Sequence, residues 1–303
     1  MNRLILQLDW KPNAQFAGIL LAHHLGWYRQ AGFELIIRPG QIYQNPVDAL
    51  QGPENIIVSA DDNLIIEAQV AGRGIKAISS MLQFSAFGWM ALEGSGITTM
   101  GDFKGKRVGV HSDGEIPLDI ALAHFDLSRT DLEVVNFGYD YIDVLSSGQC
   151  DVIQGFIITE PLEFEQRGLA VRVLPAHAWG YEAYSQVLAT TEPLLATHSD
   201  RVVRFLKITY DGWRRALQTP QETCRLIAHH YLPETAPELE AKILAGIEPF
   251  LVGNAGLERL GWMNKERWQR RIDYLFDYRL ISRRLPAEEV MTNHLMESAY
   301  ALQ

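Results

Sequence analysis

Short apolar runs alternate with amphipathic stretches from residue 4 to residue 175, and that alternation leaves few folds open. Residues 4–8 read as a strand, 16–31 as a helix stopped by Gly32, and 33–38 as a strand of period two. A short helix is expected over 45–51, opened by Asn45 with Pro46 in its first turn. A strand at 56–59, a helix at 61–71 and a strand at 76–83 complete the first β-α-β series. A second series begins at Phe87, with strands at 87–92, 107–110, 132–137, 150–155 and 170–175. Its helices are expected at 116–125, 141–147 and 160–167. Such a pattern predicts mostly parallel sheet covered by helices. After a last strand at 187–190 the chain turns helical, over 199–219, 220–230, 236–250 and 264–278. The expected class is α/β, with two lobes and a helical tail.

Composition narrows the function. An apolar fraction of 47% and a charged fraction of 21% over 303 residues are those of a globular protein large enough for two lobes. The net charge of −10 excludes the basic face that nucleic-acid binding needs, so no nucleic-acid partner is expected. Cys150 and Cys224 are far apart and belong to no CxxC pattern, so they are expected as plain buried thiols. No run reaches the roughly 20 apolar residues of a membrane span. The opening run 4–8 is broken by Asp9, well short of the apolar core of an export signal. The chain as written is expected in the cytoplasm, or in the periplasm or another extracytoplasmic space if a leader was replaced by Met1.

Open sheets of this kind bind ligands outside the carboxyl ends of their strands. The loops expected there carry polar and aromatic groups: 10–15, 59–63, 83–87, 111–115, 138–140 and 156–160. Serine-hydrolase, zinc-peptidase and phosphate-loop motifs are missing. The tandem pairs His23-His24 and His229-His230 are no metal clamps, because adjacent residues do not share a helix face.

Several segments then stand in one order: Leu8-Asp9-Trp10-Lys11-Pro12-Asn13, Gly26-Trp27-Tyr28, and Asp102-Phe103-Lys104-Gly105-Lys106-Arg107. Asn136-Phe137-Gly138-Tyr139-Asp140 and Leu145-Ser146-Ser147-Gly148-Gln149-Cys150-Asp151 follow, with Gly261-Trp262-Met263-Asn264 near the end. In these residues the chain resembles the solute-binding proteins of ABC importers that handle pyrimidine precursors of thiamine. The same branch holds the thiamine pyrimidine synthases. The resemblance implies the two-lobed periplasmic-binding-protein fold of type II, with a ligand cleft between lobes. Lobe one would comprise residues 1–86 and 187–303, lobe two residues 87–186, with hinge segments near 85–88 and 185–187. It further implies a pyrimidine-like small molecule as ligand, the membrane subunits of an ABC transporter as partners, and a monomer.

The synthase branch holds pyridoxal phosphate on a lysine and carries a histidine four residues on; a Schiff base requires an amine. Here Asp61 and Ile65 fall at those positions, and no Lys or His occurs from Gly52 to Ile75. The cysteine cluster of that branch is also missing from 177–184. The expectation is therefore a binding protein that is not an enzyme and has neither cofactor nor metal. Two alternatives stay open: a ligand-sensing domain of a signalling protein, and a pyridoxal-phosphate-dependent synthase.

A pyrimidine needs aromatic faces and hydrogen-bonding groups along its edge. Trp10 is the first candidate for a stacking wall, or else a structural lid over the sheet end. Asn13 orients ligand or caps the helix beginning beside it. Asp61 and Asp62 accept from an exocyclic amine or mark a helix start. Gln83 is placed to read a ring edge. Glu115 reads ligand or complements a helix dipole. Phe156 and Glu160 follow a second-lobe strand, and Tyr181 and Tyr184 either close over ligand or pack the hinge. Trp27, Trp213, Trp262 and Trp268 are expected as packing residues.

Overall fold

The computed structural model describes residues 2–41, 44–52, 55–111, 114–138 and 140–302. It divides into two compact units, residues 1–84 with 183–303, and residues 85–182. In chain order the first unit opens with β1 (Asn2–Gln7), α1 (Ala17–His24), α2 (Trp27–Gln30) and β2 (Phe33–Arg38). Then come β3 (Ile56–Ala60), α3 (Asp62–Val70) and β4 (Ile75–Leu82). The second unit holds β5 (Phe87–Leu92), β6 (Arg107–Val110), α4 (Glu115–Ala123), β7 (Glu133–Asn136) and α5 (Tyr141–Ser146). It ends with β8 (Val152–Phe156), α6 (Glu160–Gln166) and β9 (Val171–Pro175). The chain returns to the first unit as β10 (Ser185–Thr191), followed by α7 (Glu192–Gln218), α8 (Pro220–His230) and α9 (Pro237–Val252). Last come α10 (Lys265–Asp277), α11 (Ala287–Val290) and α12 (His294–Ala301).

Each unit has one five-stranded sheet, ordered β2-β1-β3-β10-β4 and β7-β6-β8-β5-β9. In each, four strands run one way and one is reversed: β10 lies antiparallel to β3 and β4, and β5 to β8 and β9. The reversed strand is in both cases the first one after the chain passes from one unit to the other. As a result the amino end of β10 shares a sheet edge with the carboxyl ends of β1, β3 and β4. The amino end of β5 does the same with β6, β8 and β9.

Packing explains the elements. All five residues of β3 are buried, as a central strand covered on both faces must be. The stretch 16–31, expected as one helix, is broken: Gly26 sits at φ 74, a left-handed conformation that no helix continues through. Helix α1 is buried from Ala17 to Ala22 because α7 crosses it at very close range. A Cβ on Gly18 would lie 2.4 Å from Cγ of Trp213, and one on Gly212 only 2.1 Å from the Gly18 carbonyl oxygen. Trp213 and Trp268 are fully buried core, whereas Trp27 and Trp262, expected to pack in the same way, are only half-buried. Helices α11 and α12 lie beyond the helices expected from sequence. The core of the second unit gathers Met90, Val144, Leu145, Cys150, Ile153 and Phe164.

Candidate functional site

The ligand-side edge of the first unit starts where β1 stops. The Leu8 amide still donates to the Arg38 carbonyl at 2.9 Å, so Asp9 is the first residue beyond the pairing. The loop is then pinned by Gly40, whose amide donates to the Trp10 carbonyl at 2.9 Å. A Cβ on Gly40 would stand 2.3 Å from the Asp9 carbonyl carbon, so only glycine fits. Trp10 is half-buried on this loop. Asn13 is buried and accepts from the Gln15 amide at 3.0 Å, capping the 3-10 turn Ala14–Phe16. The neighbouring Ala14 amide donates to the buried Glu240 carboxylate at 2.6 Å.

Asp9 is the residue that the sequence reading passed over. Its Oδ1 is shielded from solvent and has no hydrogen-bond partner among the described residues. Burial pushes its carboxyl up to about 6, while the adjacent Ser59 hydroxyl draws it partway down. Ser59 Oγ, at the end of β3, likewise lacks an aligned partner. Gln186, the second residue of β10, was missed for another reason. It is 2% exposed, and its φ of 51 is left-handed, which is uncommon for a non-glycine residue. Its Nε2 donates to Gln15 Oε1 at 3.0 Å, while its own Oε1 is buried without a partner.

The remaining candidates of this unit divide by what they touch. Asp61 stands at the N-cap of α3 and accepts from the Ser185 hydroxyl at 2.5 Å. Asp62 is fully buried; Oδ1 meets Arg271 Nε at 3.2 Å and Oδ2 accepts from the Tyr184 amide at 2.9 Å. Tyr184 lies under α10, its hydroxyl accepting from the Asn264 amide at 2.8 Å, with the Arg267 guanidinium 4.0 Å over its ring. Gln83 is buried and donates through Nε2 to the Trp262 carbonyl at 3.0 Å. Asp62, Tyr184 and Gln83 thus tie the sheet edge to the helical tail.

The second unit builds its edge on Gln154 of β8. This side chain is buried, and its Oε1 accepts from the His111 amide at 2.7 Å. A Cβ on Gly114 would fall 1.7 Å from that same oxygen. The His111 ring packs on Phe137 with centroids 4.2 Å apart. Ser112, Asp113 and Tyr139, in the loops expected at this edge, lie outside the described residues. Glu115 opens α4 and pairs with Arg129 at 2.6 Å. Phe156 is half-buried opposite Phe87, and the Phe87 ring in turn lies 6.3 Å from that of the buried Tyr181. Glu160 is half-buried and accepts from the Thr159 hydroxyl. Burial pushes its carboxyl up to about 7 against that hydrogen bond and the backbone amides, with the Glu163 charge adding to the rise.

At the positions where a pyridoxal enzyme of this resemblance needs an amine and an imidazole, Asp61 is bound to Ser185 and Ile65 is fully buried. The two histidine pairs do come together: the His24 and His230 rings are 4.4 Å apart, and those of His229 and His230 4.5 Å. Among the described residues no three His, Cys, Asp or Glu side chains are grouped to hold a metal. No helix among them is long and apolar enough to cross a membrane.

Known proteins share this architecture. The periplasmic aliphatic sulphonate-binding protein SsuA of Escherichia coli superposes with a TM-score of 0.77 at 18% identity, over 95% of this chain and 91% of its own. The fold is that of periplasmic binding proteins of type II. In sequence, the chain is 21% identical to the riboflavin-binding protein RibY of Chloroflexus aurantiacus, over 98% of this chain and 86% of that one. It is 24% identical to the 4-amino-5-hydroxymethyl-2-methylpyrimidine phosphate synthase of Schizosaccharomyces pombe, over 75% of this chain and 69% of that one. The family described as NMT1/THI5 like matches residues 13–223, a span that holds Asn13, Asp61, Gln83, Gln154, Glu160 and Gln186: the chain belongs to the NMT1/THI5-like family.

Proposed function

We propose that this chain is a solute-binding protein that captures a small, flat nitrogen heteroaromatic of the thiamine-pyrimidine class. It delivers that molecule, outside the cytoplasmic membrane, to the membrane subunits of an ABC importer. The observation that carries the reading is the first-unit edge, where the half-buried Trp10 indole stands on the same loop as the shielded Asp9 carboxylate. An aromatic face beside acceptors is what a ring with an exocyclic amine requires. Trp10 stacks on the ring, and Asp61 reads its edge. Asn13 and Gln83 hold the surrounding turns, and Asp62 and Tyr184 support them from below. Within the second unit, Phe156, Glu160 and Tyr181 form an aromatic and acidic set of their own, and Glu115 is paired with Arg129 at the start of α4.

The relatives support the ligand class from two directions. One is named for binding riboflavin and one for making a pyrimidine phosphate, and both compounds are flat nitrogen heterocycles. The synthase reading is disfavoured because Asp61 and Ile65 stand where lysine and histidine would be needed. Thermal-shift measurements on the purified chain test the proposal, with an aminopyrimidine, riboflavin, pyridoxal phosphate, an alkyl sulfonate and nitrate as probes. A ligand that binds only the folded state raises the melting temperature. A rise with the heterocycles supports the reading. A rise confined to sulfonate or nitrate overturns the ligand class, and a lysine-aldimine absorbance with pyridoxal phosphate overturns the non-enzymatic assignment.

A further inference from the structure

Helix α10 ends in a segment whose side chains do not suit a solvated helix end. It reads Phe276-Asp277-Tyr278-Arg279-Leu280, and all five residues are exposed. Among the described residues seven large apolar side chains are exposed, and three of them stand here: Phe276 at 37%, Tyr278 at 51% and Leu280 at 39%. A single exposed apolar residue is ordinary, whereas a cluster marks a surface that something covers. A shallow depression bounded by Phe276, Asp277, Arg279, Leu280, Ile281 and Ser282 opens beside them. The segment lies away from the ligand-side edge. Arg267, which donates to the Gln83 and Ala183 carbonyls there, stands about 14 Å back along the helix axis.

The turn that closes α10 is a Schellman motif. The Arg279 amide donates to the Phe276 carbonyl at 2.9 Å, and the Leu280 amide to the Leu275 carbonyl at 2.8 Å. Glycine is the usual residue at the left-handed position of this motif, because a Cβ is strained there. This chain holds arginine at it, with φ 59. The residue that follows commonly packs its apolar side chain back on the helix, yet Leu280 stays exposed. Two places in the motif thus hold side chains that stability alone would not choose. Charge says what they face. Residues 276–284 carry Arg279, Arg283 and Arg284 against Asp277 alone, in a chain of net charge −10. Arg284 is taken by Asp273 at 3.2 Å and Asp277 at 2.6 Å, and lies 4.9 Å over the Phe276 ring. Arg279 and Arg283 are exposed and enter no ion pair among the described residues.

We propose that the end of α10 and the turn after it, residues 276–284, rest on the surface of an anionic lipid bilayer. Phe276, Tyr278 and Leu280 enter the zone between headgroups and acyl chains, and Arg279 and Arg283 pair with lipid phosphates. The alternation favours a bilayer over a protein. Apolar and charged side chains follow one another at a helix end, so they make a wedge and not a flat apolar face. A folded partner would have to bury Arg279 between two apolar side chains, with a desolvation cost. A bilayer takes both kinds, because its phosphates lie directly above its apolar layer, where aromatic rings and arginines collect. Each basic residue near an anionic surface strengthens the contact roughly fivefold. The contact is peripheral, since no helix among the described residues is long and apolar enough to span a membrane. It stands independently of the ligand class proposed above.

The test is flotation of the full chain with vesicles of phosphatidylcholine alone and of an equimolar mixture with phosphatidylglycerol, at low and at physiological salt. The wild type is expected to float with the mixed vesicles, less so as salt rises, and far less with phosphatidylcholine. Phe276→Ser combined with Leu280→Ser should lower the partition at least about 10-fold, the gain of one apolar side chain on leaving water. Arg279→Gly should lower it about fivefold while holding or raising the melting temperature, since glycine suits the left-handed turn. If the serine pair fails to fold, Arg279→Gly alone decides. No flotation with either vesicle, or flotation indifferent to the substitutions, overturns the proposal. Equal flotation with both vesicles overturns the part given to the arginines and with it the anionic surface. Self-association in sedimentation velocity without flotation assigns the segment to a second copy of the chain, and retention on polyglutamate without flotation assigns it to an acidic protein. Either result overturns the bilayer and leaves the solute-binding reading intact.

Discussion

The two sheets follow the same strand order, with one reversed strand in the same place, yet their ligand-side edges are built differently. In the second unit the polar groups are answered from within: Gln154 by the His111 amide, Glu115 by Arg129, Glu160 by Thr159. In the first unit Asp9 Oδ1 and Gln186 Oε1 have no hydrogen-bond partner among the described residues, and Gln186 also holds a left-handed φ. One topology thus carries a satisfied edge and an unsatisfied one. A fold does not by itself make a site; unsatisfied groups on it do.

The largest effect is expected on the satisfied edge. Gly114→Ala places a methyl group 1.7 Å from Gln154 Oε1, with Val110 Cγ1 2.8 Å away. The Gln154 side chain is buried and bonded to His111, so it cannot swing clear without losing that bond. A loss of about 2–4 kcal/mol is expected in urea unfolding, the range for overpacking plus a broken buried hydrogen bond. Combining it with Gln154→Ala should restore much of that loss, because the clash and its partner vanish together. If Gly114→Ala alone is neutral, the second edge is not the rigid one and the comparison fails.

Trp10→Ala separates binding from stability on the other edge. The indole is half-buried, so its removal should lower the melting temperature little. Affinity for the aminopyrimidine should fall by about 1–3 kcal/mol, the worth of an aromatic face in contact. An unchanged affinity returns Trp10 to a lid over the sheet end. The Trp10→Ala change is informative only beside Asp9→Asn, since the first removes a face and the second an edge.

How much of this was legible in the chain follows from how local each signal is. Strand 33–38 came out with the bounds of β2, and the Asn45 cap with Pro46 behind it is in place, because both depend on neighbours in sequence. The Asp61 cap position and Asn13 turn are of the same kind. Asp62 is not: its partner Arg271 is 209 residues away, and only the assembled unit shows that the pair is structural. Tyr184 is likewise claimed by Asn264, 80 residues on. Asp9 sat inside the quoted Leu8-Asp9-Trp10 motif, but its shielding depends on Ser59 and on the Gly40 loop closing over its backbone. Nothing in the letters around Gln186 signals a left-handed φ. Its being polar marks nothing either, since Ser185, Thr190 and Thr191 of the same strand are polar as well.

Asp9→Asn should be seen in stability as well as in binding, and with a definite sign. Folding moves the carboxyl from its ordinary value near 3.8 up to about 6. Between those values the folded chain holds more protons than the unfolded one, so this group's contribution falls as pH rises through about 4 to 6. Above pH 7 both states are ionised, and the full penalty of the shielded carboxylate is present. The variant is therefore expected to be more stable than wild type at pH 7.5, by about 1–3 kcal/mol. The gap should close as pH is lowered towards 4, where the wild-type carboxyl is protonated in the folded chain. A site that trades stability for recognition behaves in this way. Urea melts at the two pH values decide it: equal stability at pH 7.5 would mean that Asp9 is solvated after all.

The smallest expected effect completes the contrast. Glu115→Gln removes one carboxylate from Arg129, but the pair is partly solvent-exposed on both sides and Arg129 keeps Asp119 at 2.8 Å. Exposed pairs of this kind contribute about 0–1 kcal/mol, and the remaining glutamine still stands at the start of α4. Stability in urea should change by no more than that, with the difference shrinking as salt is added. Affinity for the aminopyrimidine should stay at the wild-type value. A loss of binding comparable to that of Asp9→Asn would move the recognition of the ring edge to the second unit, and the distinction between a satisfied and an unsatisfied edge would no longer say which sheet reads the ligand.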